Sequence, residues 1–62
     1  MDEAQYATEQ IAEKITDLNR AAQNLGPEPM DRETAEDLML RAGRIASSLR
    51  DYLSFLNLRE SA

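Results

Sequence analysis

Residues 35–56 read AEDLMLRAGRIASSLRDYLSFL. Apolar side chains recur there at Ala35, Leu38, Ala42, Ile45, Leu49, Tyr52 and Leu56, in alternating steps of three and four. This is the spacing of a helix that packs lengthwise on another helix. Met39, Ala46 and Leu53 each follow a residue of that series by one position, and they widen the seam into a broad stripe.

The N-terminal half carries a thinner seam of the same period: Ala4, Thr8, Ile11, Ile15, Leu18, Ala22 and Leu25. Asp2 is placed as an N-cap, with Gln5 three residues on to complete a capping box. The segment Leu25-Gly26-Pro27-Glu28-Pro29-Met30 interrupts the pattern. Gly26 is expected in the left-handed conformation that ends many helices, and the two prolines forbid continuation. Asp31 is a good N-cap for the second helix, and Glu33, Glu36 and Asp37 suit the positive end of its dipole.

The spacing thus predicts an all-α fold of one domain over residues 1–62. Helix 1 spans about 2–25, a turn 26–30 and helix 2 about 31–58, with residues 59–62 frayed. The two form an antiparallel hairpin, with helix 2 overhanging by roughly 6 Å at Ser54–Leu58. The stripe of helix 2 is wider than helix 1 can cover. Two hairpins packed face to face would close it as a four-helix bundle, and the expected dimer seam is Leu38, Ala42, Ile45, Ala46, Leu49, Tyr52, Leu53 and Leu56.

Sixty-two residues bury little surface, and chains of this size usually rely on disulfides, a metal or association. There is no Cys and no His, which excludes disulfides and any zinc or iron–sulfur site of those ligands. Association is the remaining route. The net charge of −5 argues against a phosphate-binding role, since affinity for nucleic acid comes from clustered Lys and Arg. No apolar run approaches the roughly 18 residues of a membrane span. The acidic start Met1-Asp2-Glu3 differs from the basic, then apolar, opening of a signal peptide. The expectation is a cytoplasmic protein without a membrane role.

No motif for catalysis stands out. Ser47, Ser48 and Ser54 lack a histidine base, and Lys14, the one lysine, offers only a conceivable Ser–Lys arrangement. With 2 glycines there is no phosphate-cradling loop. No enzyme activity and no cofactor are expected.

Four large side chains fall off the seams: Tyr6, Leu40, Phe55 and Leu58. They are the candidate anchors for a protein partner, because aromatic residues are enriched among interface hot spots. Glu9, Glu13 and Asp17 form an acidic strip at i, i+4, i+8, read either as a contact for a basic partner or as a solvated face. Arg41, Arg44 and Arg50 flank the small residues Ala42, Gly43, Ala46, Ser47 and Ser48, and they are the alternative basis for binding a nucleic acid or nucleotide. The glycine suggests close approach of a backbone or ligand, or mere tolerance on an outer face. The sequence therefore points to a small protein–protein interaction module acting as a homodimer, a regulator, inhibitor or adaptor. The alternatives are that nucleotide or nucleic-acid binder, and a small subunit of a larger hetero-complex.

Overall fold

The computed structural model describes residues 2–61. Two helices make up the fold, α1 (Glu3–Gln23) and α2 (Arg32–Ser61), with no strand among the described residues. Lys14 of α1 meets Ser48 of α2, and Asp17 meets Arg41. Numbers that rise along one helix fall along the other, so the pair is antiparallel.

The helix starts follow local chemistry. The Asp2 carboxylate accepts the Gln5 backbone N–H at 2.8 Å while the Gln5 side chain accepts the Asp2 N–H at 3.3 Å, completing the expected capping box. Asp31 accepts the Thr34 backbone N–H at 2.8 Å, and hydrogen bonding from the Thr34 side chain first, then from that N–H, holds its carboxyl below the ordinary carboxylate range. The end of α1 departs from expectation. No described residue has positive φ, so Gly26 does not take the left-handed conformation. The helix stops two residues earlier than expected, at Gln23. Asn24 lies in the helical region at φ −84°, and its N–H and that of Leu25 close short turns onto Ala21 and Ala22. The proline at position 27 biases Gly26 away from helical backbone, so the chain leaves the helix without a left-handed cap. At the other end α2 runs to Ser61, past the expected end at Leu58 and through the expected frayed tail as far as it is described.

The half-buried positions mark the line along which the helices face each other. On α1 they are Ala4, Ala7, Lys14, Leu18 and Ala21 around the buried Ile11, with Gln10 beside them; on α2 they are Thr34, Leu38, Arg41, Ile45, Ser48, Tyr52, Phe55 and Leu56. Both lines step in threes and fours, but each is rotated from the seam expected between the helices. Thr8, Ile15 and Ala22 of α1 are exposed, as are Leu25 beyond its end and Ala35, Ala42 and Leu49 of α2. The rotation follows from polar residues with long stems. Lys14 and Arg41 lay their methylenes along the line and carry their charged heads to its edge, where Ser48 and Asp17 receive them. The overhang of Ser54–Leu58 does not form either, because Phe55 and Arg59 line a hollow with Asp2, Glu3 and Ala4 at the first turn of α1.

One residue alone is buried among those described, Ile11 at 8% exposure. The molecule exposes 5201 Å², whereas a compact folded chain of this length exposes roughly 4,000 Å². Its radius of gyration is 15.0 Å against about 10.6 Å for a compact domain. The Cα framework measures 51 × 20 × 12 Å, a slab one helix thick.

Two outcomes follow for the hairpin itself. A Cβ at Gly43 would have open space around it, and the residue lies in mid-helix. Gly43→Ala should therefore stabilise the fold by about 0.5–1 kcal/mol, read as a raised melting temperature; a fall would place another chain against that position. Because the Asp31 carboxyl has a depressed pKa when folded, its contribution is present above its unfolded value and is lost as pH falls through the folded one. Asp31→Asn retains an N-cap but removes that titration, so its melting temperature should drop less than the parent's on acidification below about pH 4.

Candidate interaction surfaces

A slab of two helices has two broad flanks, and here they differ in kind. The first carries Thr8, Ala12, Ile15 and Ala22 from α1, beside Ala35, Met39, Ala42, Ala46, Leu49 and Leu53 from α2. Each lies one residue past a member of the facing line, so in an antiparallel pair they all fall on one side of it. Met39 is 67% exposed and Leu53 59%. No charged residue stands among these positions.

The opposite flank is polar. Arg41 donates from Nε to Asp37 at 2.8 Å and from its terminal nitrogen to Asp17 across the helices. The Asp37 bond first, and Asp17 after it, hold the guanidinium pKa above its usual value. Lys14 Nζ donates to Ser48 Oγ at 2.8 Å. Near the N-terminal end of α1 this flank opens into a pocket of about 330 Å³, floored by Ala7, Ile11, Tyr52 and Phe55 and rimmed by Glu3, Tyr6 and Asp51. The Tyr52 and Phe55 rings stack 6.2 Å apart, and the Arg59 guanidinium lies 5.5 Å from the Phe55 ring centre.

The residues singled out from sequence distribute over these surfaces unevenly. Of the expected dimer seam, Leu38, Ile45 and Tyr52 lie on the line facing α1, with Leu56 half-buried beside it. Ala42, Ala46, Leu49 and Leu53 lie on the uncovered apolar flank. Of the expected partner anchors, Tyr6 and Phe55 line the same pocket; Leu40 and Leu58 do not, and Leu58 is 73% exposed. Glu9 and Glu13 are exposed, but Asp17 is engaged by Arg41, so the acidic strip is not one free ridge. Arg41 is held between two carboxylates, while Arg44 shares a hollow with Glu13 and Asp17. Arg50 is exposed on the outer side of α2, off the facing line.

The Lys14–Ser48 pair is a Ser–Lys arrangement of the kind the sequence left conceivable, and which of the three serines meets Lys14 was legible only as a rotated heptad on the two helices. Its chemistry is that of a structural tie. Lys14 Nζ donates and the Ser48 hydroxyl oxygen accepts, so the bond links the two helices. Among the described residues no group of three acidic, histidine or cysteine side chains could hold a metal ion, and no helix is long and apolar enough to cross a membrane.

Comparison of the chain with protein families, with curated proteins and with solved structures finds no match.

The ionic tie between the helices is testable. Added salt weakens exposed ion pairs. The melting-temperature advantage of the parent over Arg41→Met, in which the links to Asp17 and Asp37 are gone, should therefore shrink between about 0.05 and about 0.5 M sodium chloride. Equal salt responses would mean that the bridge contributes nothing measurable.

Proposed function

We propose that this chain is a small, non-enzymatic protein–protein interaction module that acts as a homodimer and serves as a regulator, inhibitor or adaptor of another protein. The observation that carries the reading is the uncovered apolar flank of a hairpin with a single buried residue among those described. Its exposed surface exceeds that of a compact chain by roughly 1,200 Å², and a standard interface takes about 800 Å² from each partner. Closing that flank with a second hairpin gives a four-helix bundle with a two-sided core. The pocket lined by Tyr6 and Phe55 lies on the other flank, so it stays open in such a dimer and supports the second half of the reading, contact with a different protein.

The arginine segment gives less support to a nucleic-acid reading. Arg41 is already paired with two carboxylates, and the chain's net charge is −5.

Sedimentation at micromolar concentration should show a folded dimer. Leu49→Asp, which puts a charge in the middle of the apolar flank, should lose association and most helical circular dichroism together. A parent protein that sediments as a folded monomer would overturn the homodimer. Tyr6→Ser should keep the dimer and its melting temperature but release whatever protein the parent retains. A partner held equally by both would remove the pocket from the reading.

A further inference from the structure

We infer that the second copy seats its α2 antiparallel on α2 of the first, about a twofold axis between Ser47 and Ser48, so that Ala46 packs on Leu49 of the second copy. The inference rests on the homodimer reading above and specifies its geometry.

The argument starts from the order of sizes along the apolar flank. From N- to C-terminus its α2 positions are Ala35, Met39, Ala42, Ala46, Leu49 and Leu53, and the half-buried Leu56 at the edge of the facing line continues the row, in steps of four and three. Small residues fill the first half and large ones the second, apart from Met39. Two such rows can meet in three ways that keep the steps in phase. In a parallel pair each residue faces its own copy. Ala42 and Ala46 then form two consecutive layers without bulk, next to three consecutive layers of paired leucines. Protein interiors are close-packed, and neither the void nor the crowding suits one interhelical distance.

In an antiparallel pair, layers join positions of one kind to positions of the other, which leaves two central registers. One register sets Ala42 on Ala46 of the second copy, twice over, at the centre, and Arg32 on Leu56 at the ends. The other sets Ala46 on Leu49, Ala42 on Leu53 and Met39 on Leu56 of the second copy, each occurring twice by symmetry. Its four central layers each combine one alanine with one leucine, so the separation between the helices is even. The axis of this register lies one residue from the midpoint of α2, so the two helices overlap along nearly their full length.

Area and charge agree with this seat. The row from Ala35 to Leu56 is roughly 30 Å long. With the slab's 20 Å width it gives a footprint of about 600 Å², close to the scale of a standard interface per partner. Each copy carries a net charge of −5, and the apolar flank is where two copies can meet without opposing charges. Beyond Ala35 the row continues to Arg32, which Glu36 engages on its own helix, and beyond Leu56 to Glu60, so charge lies only at the ends of the row.

The chain has no cysteine, which makes single-cysteine cross-linking direct. In the inferred geometry residue 39 lies about 25 Å along the axis from its own copy, and so does residue 56. Met39→Cys and Leu56→Cys should each stay unlinked when oxidised alone, and should form a mixed disulfide at least about tenfold more when the two variants are combined. Ala42→Cys with Leu53→Cys, both exposed in the single hairpin, repeats the test without touching the half-buried Leu56. Self-linking of Met39→Cys alone would overturn the geometry in favour of a parallel pair. A sedimenting dimer in which neither combination links would place the two copies in the Ala42-on-Ala46 register or α2 against α1 of the second copy, and either result overturns it. A parent that sediments as a monomer defeats the homodimer reading itself, so the two failures are told apart.

Discussion

Two helices lying side by side form a single layer, and a single layer can bury only the line along which they touch. Everything particular to this hairpin follows from that limit. A helix with a narrow apolar stripe would be satisfied by one neighbour. The stripe of α2 is wide enough to serve two. Leu38, Ile45 and Tyr52 are taken up by α1, and Ala42, Ala46, Leu49 and Leu53 are left facing outward. The fold is complete as backbone and incomplete as a core.

Which half of the stripe faces α1 is decided at the polar edge. Lys14 reaching Ser48 and Arg41 reaching Asp17 are the side-chain bonds that cross between the helices among the described residues. Both lie on the same flank, with Asp37 beside them. They draw that edge closed and turn the aliphatic residues of α2 away from it. Individually such exposed pairs contribute little. Their place here is at the edge of the facing line, where Lys14, Arg41 and Ser48 occupy positions that hydrophobicity alone would give to aliphatic residues. The pocket of Tyr6, Tyr52 and Phe55 arises on the same flank where the small Ala7 faces the rings and cannot fill the space below them.

The helices themselves were legible in the sequence because they are announced by local chemistry. Asp2 with Gln5, Asp31 before a periodic run, and two prolines between them need no tertiary information. Rotation about the helix axes was not legible. Leu38, Ile45 and Tyr52 belong equally to a series through Ala35, Ala42 and Leu49 and to one through Thr34, Arg41 and Ser48. Hydrophobicity alone favours the first, whereas the structure uses the second. The polar members of that second series find their partners only once α1 is in place. Phe55 was misplaced for a related reason. Helix length suggested that it projected beyond α1, but the connection through residues 24–31 shifts the pairing so that it lies against the first turn. The end of α1 failed at a glycine for a local reason: Gly26 precedes a proline, and the helix had already closed on Asn24.

Ile11 as the one buried side chain among those described has a consequence for how such a chain persists. A protein that keeps its core to itself is equally folded at any dilution. A second chain on the uncovered flank would add the contact that this core lacks, and folding and occupancy of the flank would then form one equilibrium. Native-state opening is then governed by how much of the covering surface is present, and so is exposure to proteolysis. In such a complex the lifetime of this chain would follow the concentration of the covering chain, rising gradually around the dissociation constant.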